Sequence, residues 1–399
     1  MIQVATAYSQ SPSARTAAEA VSREALFKIG MVKVDAAIIF VSASFRKQLP
    51  EIVKIIRNMT QAKRIAGASG FGIITEDIEV ERQRSLALMV ISSQDLECHT
   101  FLESNLQENN FKAGQRLGES LRHTGMDIRS LLAFPDVYSF HSSAFFDGFE
   151  DQIGYVPILG GTAAEEGKEE KTYQIEGARV TFDAVSGIAF GSGLRQESAI
   201  TKSCRPFGDS FQITRAEGNV IYEMDGRPAY DILLESLSGF HFKNSDQILQ
   251  NVFLGIPLRS FQTEFKGPDY LIRNITGTNA KKGMLSCISP VCEGDFVTFA
   301  LRDAESARQD MRLMLEDLRH RVEPDEVRFG FYFNSCTRGL SLYRHPDEDI
   351  RMIRSYFPHV PILGFFTYGE LLPLDHVNLV HHHSGVLVLM KEISTENAS

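Results

Sequence analysis

The sequence VPILGFFT at residues 360–367 has two counterparts in the same chain, VPILGGT at 156–162 and IAGAS at 65–69. Each is a short apolar stretch that reaches a glycine and continues into small or aromatic residues. An apolar run precedes each copy, and another follows it. Recurrence of one supersecondary unit indicates the architecture before any single motif is considered.

The apolar runs that precede the three copies lie at 36–41, 130–134 and 329–334. They are rich in branched and aromatic residues and barely alternate, which is typical of strands covered on both faces. A helical pattern separates each run from its copy. In the third copy, Pro346 suits a first helical position, and Ile350, Ile353 and Phe357 fall on one face.

Strand-like runs at 86–91, 187–190 and 385–390 follow the three copies. A helical stripe also precedes the third copy, at Met311, Met314, Leu315 and Leu318. The predicted unit is therefore helix–strand–helix–strand–strand. Such units predict an α/β fold with mixed sheets layered with helices.

The interval between the second and third copies is much longer than that between the first and second. The extra segment, about 205–300, has strand-like stretches at 270–273 and 296–299, and a predicted hairpin with its turn at 217–219. Pro228 is expected to open a helix after the hairpin. We predict a boundary near 205–208, with a domain 1–204 that holds two units and a domain 205–399 that holds the insert and the third unit.

Composition limits the class of protein. A hydrophobic content of 43% and a charged content of 23% are ordinary for a soluble globular chain. No apolar run approaches the roughly 20 residues of a membrane helix, and the first residues do not resemble a signal peptide. Five scattered cysteines without a CxxC pair suit a reducing cytoplasm, and a net charge of −10 without a basic stripe disfavours nucleic acid as a partner.

Polar and small residues follow the two predicted parallel strands of the third unit: Asn334, Cys336, Arg338, Gly364, Tyr368 and Glu370. Ligands of open α/β sheets bind beyond the carboxyl ends of strands, so we expect these residues to share one cleft. Arg338 suits a carboxylate and Glu370 an ammonium group, which together suit a small zwitterion such as an amino acid. The alternative is an internal Arg–Glu pair that only ties two loops together.

Three side chains are weaker candidates for catalysis or metal binding. Cys336 would be a nucleophile if a base lowered its pKa, but free cysteine is more often a small buried hydrophobe, so an enzyme is the less expected outcome. His381 and His383 alternate along a predicted strand entry and could share a haem site. The alternative for these histidines is a polar strand entry without a ligand.

Several segments match a known family. They are GNVIYEMDGRPA at 218–229, NSCTRG at 334–339, GFFTYGE at 364–370, and AGAS at 66–69 followed by a charged strand entry at 79–81. By these segments the chain resembles the FIST family over nearly its whole length, with an N-terminal and a C-terminal FIST region. Ala68 departs from the GCST-like phrase that the family usually carries.

The resemblance implies a bacterial sensory protein that binds a small ligand, such as an amino acid, and not a known enzyme. It implies signalling through a separate partner, a histidine kinase or a cyclic-dinucleotide enzyme, from the cytoplasm. One subset of the family binds haem, senses nitric oxide and regulates a histidine kinase, and His383 or His381 would then be the iron ligand. The remaining alternatives are an enzyme built on Cys336 and a scaffold without a small ligand.

Overall fold

The computed structural model describes residues 2–93, 96–242, 244–257 and 270–393. These residues form two compact units. The first takes Met1–Ile200, Met311–Val380 and Ser384–Ser399, and the second takes Thr201–Asp310 and His381–His383. The sequence division into 1–204 and 205–399 stays a prediction.

The chain begins with β1 (Gln3–Ser9), α1 (Ala14–Lys28), β2 (Ala36–Ser42), α2 (Leu49–Thr60), β3 (Arg64–Gly70), β4 (Gly72–Thr75), β5 (Glu79–Glu81) and β6 (Leu86–Ser92). It continues with β7 (Cys98–Ser104), α3 (Asn110–Arg122), β8 (Ser130–Pro135), α4 (Ser142–Ile153), β9 (Ile158–Gly161), β10 (Gln174–Glu176), β11 (Arg179–Thr181) and β12 (Ala184–Phe190). Next come β13 (Leu194–Lys202), β14 (Cys204–Glu217), β15 (Val220–Met224), β16 (Arg227–Pro228), α5 (Ala229–Ser236), α6 (Ser245–Asn251), β17 (Val252–Pro257), β18 (Tyr270–Asn279), β19 (Met284–Cys287) and β20 (Phe296–Arg302). The last part contains α7 (Ala304–Arg321), β21 (Val327–Ser335), α8 (Gly339–Tyr343), α9 (Glu348–Tyr356), β22 (Ile362–Thr367), β23 (Glu370–Leu371), β24 (Val380–His381) and β25 (Ser384–Glu392).

The repeated helix–strand–helix–strand–strand unit occurs three times. Repeat 1 is α1-β2-α2-β3-β6, repeat 2 is α3-β8-α4-β9-β12, and repeat 3 is α7-β21-α9-β22-β25. In each repeat the two strands flanking the middle helix are parallel, and the last strand is antiparallel to the first of them. The predicted α/β fold with mixed sheets and layered helices is confirmed.

The glycine of the repeated phrase is explained by strand packing. A Cβ added to Gly67 would lie 2.0 Å from the main-chain oxygen of Ile39, and one added to Gly364 would lie 1.9 Å from that of Tyr332. Gly160 makes the same approach to its neighbouring strand, at 2.1 Å. Any side chain there would push the parallel pair apart, so each repeat needs glycine at this position.

The helices cover the sheets through one apolar face. In α2, Pro50 stands in the first turn, and Ile52, Val53 and Ile56 are buried against the sheet. Complete burial of each such side chain contributes roughly 1.5–3 kcal/mol. The helix ends at Gln61, whose left-handed φ of 51° closes the last turn.

The sheets of the three repeats exchange strands in a cycle, which sequence analysis did not predict. The sheet of repeat 3 has the order β13-β25-β21-β22-β4-β5, so it is completed by the hairpin that follows β3 of repeat 1. Strands β10 and β11 of repeat 2 complete the sheet of repeat 1, and β23 and β24 complete that of repeat 2. Each repeat therefore contributes strands to the sheet of another repeat.

The sheets bury one aromatic core where the repeats meet. Phe40, Phe134 and Phe333 occupy equivalent positions, one residue after the strand position that faces the repeated glycine. Their ring centroids lie 5.1, 6.1 and 6.3 Å apart. Edge-to-face and tilted contacts of this kind stabilise beyond the area that they bury.

The second compact unit is antiparallel. Its sheet order is β14-β20-β17-β18-β19-β15-β16, and an additional pairing of β14 with β15 closes six of these strands into a ring. The predicted hairpin is β14–β15 and the predicted helix after Pro228 is α5. The predicted boundary at 205–208 lies inside β14, which runs unbroken through it, while the compact unit begins at Thr201.

Candidate functional site

A buried polar region of the first compact unit lies beyond the carboxyl end of β21. Arg338 follows this strand, Asp349 lies in the first turn of α9, and neither side chain is exposed. Nε of Arg338 donates to one oxygen of Asp349 at 3.0 Å, and Nη2 donates to the other at 2.9 Å. The planar fork that the sequence assigned to a ligand carboxylate is therefore occupied by Asp349, in a fully buried ion pair.

Three more side chains complete the surroundings of Asp349. The hydroxyls of Tyr332 and Tyr343 donate to it at 2.9 and 2.8 Å, and the amide of Asn334 donates at 3.0 Å. Burial acts to raise the pKa of Asp349, but Arg338 and these donors outweigh it and hold the pKa below its usual range. Asp349 is thus a buried anion, and the amide of Asn334 is one of its hydrogen-bond donors.

Two glutamates from another repeat face this ion pair. Strand β5 carries Glu79 and Glu81 on one face, because residues two apart in a strand point the same way. Glu79 accepts from the backbone N–H of Ile350 at 3.0 Å, and Glu81 accepts from that of Leu340 at 2.7 Å. Each glutamate therefore satisfies one of its two oxygens at the first turn of a helix of repeat 3.

Three polar atoms of this cluster have no hydrogen-bond partner in the described part of the chain. They are Oε2 of Glu79, Oε2 of Glu81 and Nη1 of Arg338. The three residues are 6%, 5% and 0% exposed. Burial, followed by the charge of Asp349, raises the pKa of Glu79 well above its usual range, and burial raises the pKa of Glu81 to about 7. We call Glu79, Glu81, Arg338 and Asp349 together the buried polar cluster.

Glu370 is hydrogen-bonded within its own repeat. Its side chain accepts from the hydroxyls of Ser384 and Thr367, at 2.6 and 3.1 Å, and from the backbone N–H of Ser384 at 3.2 Å. Burial raises the pKa of Glu370 to about 8, although these hydrogen bonds act in the opposite direction. The carboxyl group is fully buried and engaged on both oxygens, so the geometry gives a ligand ammonium group no open oxygen there.

Cys336 and Tyr368 keep partial exposure beside the cluster. Burial, with Glu370 and Glu81 adding their charge, raises the pKa of the Cys336 thiol well above its usual range. A thiol in such surroundings stays protonated at neutral pH, which is the opposite of an activated nucleophile. The hydroxyl of Tyr368 donates to the main-chain oxygen of Glu165 at 2.6 Å. The backbone of Gly364 faces Tyr332, so its small size serves strand packing.

The histidines proposed as haem ligands are buried in the second compact unit. Nε2 of His383 lies 2.8 Å from the side-chain oxygen of Asn274, and its ring packs on Phe253 with centroids 4.2 Å apart. Burial lowers the pKa of His383 to about 3, so the ring is neutral. His381 is 2% exposed. To bind haem iron through Nε2, His383 would have to give up its contact with Asn274 and move away from Phe253.

Comparison with known proteins places the chain in a family. The sequence model of the FIST N domain matches residues 35–227, and that of the FIST C domain matches residues 229–373. The chain belongs to the FIST family. Membership supports a sensory role with small-ligand binding.

The chain is also similar over most of its length to curated mycobacterial proteins. An uncharacterized protein of Mycobacterium tuberculosis is 24% identical over 97% of this chain and 99% of its own length. An uncharacterized protein of Mycobacterium bovis is 23% identical over 95% and 96%. Among solved structures, a cyanuric acid hydrolase from A. caulinodans aligns with a TM-score of 0.37 at 8% identity, over 99% of this chain and all of that chain.

Sequence analysis missed Glu79, Glu81, Asp349 and Tyr343. The sequence at 79–81 was interpreted only as a charged strand entry, although its Glu-Val-Glu pattern places two carboxyls on one face of a strand. Asp349 was not singled out, because an acidic side chain is common in the first turn of a helix. Within the described ranges, no group of three or more His, Cys, Asp or Glu side chains is arranged to hold a metal ion. No helix there has both the length and the apolar character to cross a membrane.

Proposed function

We propose that this FIST protein is a cytoplasmic sensory protein that binds a small polar ligand at the buried polar cluster and signals through a separate partner. The observation that carries the proposal is the set of three unpartnered polar atoms, on Glu79, Glu81 and Arg338. Buried polar groups in folded proteins are nearly always hydrogen-bonded, and each buried group left without a partner costs roughly 1–3 kcal/mol. A polar ligand would recover that free energy.

The chemistry of these atoms favours a ligand that both accepts and donates hydrogen bonds. Nη1 of Arg338 donates, which suits a carboxylate or carbonyl oxygen. Glu81, with a pKa of about 7, accepts when ionised, which suits an ammonium group, whereas the raised pKa of Glu79 favours its protonated, donating form. An amino acid combines the accepting and the donating groups. Glu81 thereby takes the role that sequence analysis gave to Glu370.

The position of the cluster supports a sensory mechanism. Glu79 and Glu81 belong to repeat 1, whereas Arg338 and Asp349 belong to repeat 3. A ligand held by both repeats binds their docked arrangement more tightly than a loosened one, so its binding shifts the balance between the two. The output partner is a histidine kinase or a cyclic-dinucleotide enzyme, and this part of the proposal depends on the family resemblance alone.

Isothermal titration calorimetry with a panel of the common amino acids tests the ligand. We expect at least one to bind saturably with one site per chain. Glu81→Gln keeps the acceptor for Leu340 but loses the ionisable oxygen, and it should weaken binding at least about tenfold, as expected for a lost hydrogen bond to a charged group.

Glu51→Gln is the matched control, because it makes the same exchange at an exposed glutamate in the first turn of α2, outside the buried polar cluster. It should leave the affinity unchanged. Equal affinities for the wild type, Glu81→Gln and Glu51→Gln would refute the assigned site, and an absence of heat for every amino acid would refute the ligand class.

A further inference from the structure

A cleft in the surface lies at the carboxyl end of β2, in repeat 1. It is a cleft of about 300 Å³, lined by residues that follow β2, by Arg84, and by the segment of repeat 2 between 165 and 171. The volume is at the lower end of the range for small-molecule sites. Its place beyond a strand end is where ligands of open α/β sheets bind. Like the buried polar cluster, it joins two repeats at a strand end.

The three carboxylates that line this cleft are all occupied. Glu165 accepts from the hydroxyl of Tyr138 at 2.7 Å and from the backbone N–H of Lys168 at 2.9 Å. Glu166 pairs with Nζ of Lys168 at 2.7 Å. Glu169 pairs with Arg46. Two of the four cations therefore neutralise Glu166 and Glu169, whereas Glu165 is held by neutral donors alone.

The other two cations, Arg84 and Lys171, have no carboxylate within ion-pair distance among the described residues. The guanidinium of Arg84 lies 5.4 Å from the ring centroid of Phe45, and Nη1 donates to the main-chain oxygen of Pro12 at 2.8 Å. Nζ of Lys171 lies 4.6 Å from the ring of Phe182. Aromatic rings hold both cations without neutralising them, so less side-chain freedom is lost when a ligand binds.

Four cations and three carboxylates line the cleft, so its lining is net positive in a chain whose net charge is −10. A concave surface with a net positive lining attracts anions. We propose that this cleft binds a small dianion, a phosphate monoester or a dicarboxylate, through Arg84 and Lys171. Arg84 offers planar donors for two oxygens, Lys171 supplies a point charge, and the hydroxyl of Ser44 adds a donor at the wall.

The proposed dianion site and the buried polar cluster take separate ligands. The two sites share no residue. The dianion site does not depend on the proposed amino-acid site. Glu81→Gln should therefore leave dianion binding unchanged.

Calorimetric titration of the full chain at low ionic strength, with phenyl phosphate and malonate as probes and phenol as the neutral control, tests the site. We expect saturable one-to-one binding of one or both dianions and none of phenol. The double variant Arg84→Gln/Lys171→Gln should weaken that binding at least about tenfold, and about 0.15 M salt should weaken it in the wild type.

The matched control is Arg15→Gln/Lys28→Gln, which removes the same two charges from α1, where each cation already pairs with a glutamate. It should bind the dianion like the wild type. Equal weakening in both double variants would overturn the site, since general electrostatics would then account for the effect. No saturable binding of either probe up to about 10 mM, which is weaker than about −3 kcal/mol, would also overturn it.

Discussion

The ion pair between Arg338 and Asp349 makes a sharp prediction about stability. Both side chains are wholly buried, and Asp349 accepts five hydrogen bonds from four side chains. Asp349→Asn removes the anion and leaves the guanidinium buried without a counter-charge. Loss of one partner of such a pair costs about 3–5 kcal/mol. That is a large fraction of the 5–15 kcal/mol by which a typical protein is stable.

Urea unfolding followed by circular dichroism measures the effect as a lower midpoint at unchanged slope. Asp317→Asn is the matched control, because Asp317 pairs with Arg321 at the surface and its loss should cost less than about 1 kcal/mol. The double variant Arg338→Met/Asp349→Leu should be more stable than Asp349→Asn, since it leaves no buried unpaired charge. A cost below about 1 kcal/mol for Asp349→Asn would refute the claim that Asp349 balances a buried cation.

Three further predictions follow from the packing and the pKa shifts. Gly67→Ala, which places a Cβ 2.0 Å from a main-chain oxygen, should destabilise by about 3 kcal/mol in urea unfolding, whereas Gly239→Ala, with open space at its Cβ, should change stability by less than about 1 kcal/mol. Because folding raises the pKa of Glu370 from 4.5 to about 8, the free energy of unfolding relative to Glu370→Gln should fall by about 1.4 kcal/mol per pH unit as the pH rises across that interval. A difference between the two proteins that does not change with pH would contradict the shift. Maleimide should label Cys336 more slowly than the exposed Cys292 at about pH 8, and faster labelling of Cys336 would revive the nucleophile hypothesis.

The repeat made most of the fold predictable from sequence. The apolar runs at 36–41, 130–134 and 329–334 became the inner strands β2, β8 and β21, because a strand covered on both faces has a distinctive composition. The glycine of each copy was visible as a pattern. The reason for that glycine, the close approach of two parallel strands, is visible only in the three-dimensional structure.

The cyclic exchange of hairpins was not predictable, because it depends on contacts far apart in sequence. Glu79 accepts from Ile350, 271 residues away, and nothing local to 79–81 indicates that partner. The site predicted from sequence shares Arg338 with the buried polar cluster, but it contains Glu370 in place of Glu79 and Glu81. Arg338 was recognised, while Asp349 was hidden as an ordinary helix start.

A crystal structure of the protein grown with the best-binding amino acid tests the central claim most directly. We expect ligand density at the buried polar cluster, with ligand atoms about 3 Å from Nη1 of Arg338 and from Oε2 of Glu81. Ordered water alone at these atoms, with the amino acid bound elsewhere, would contradict it.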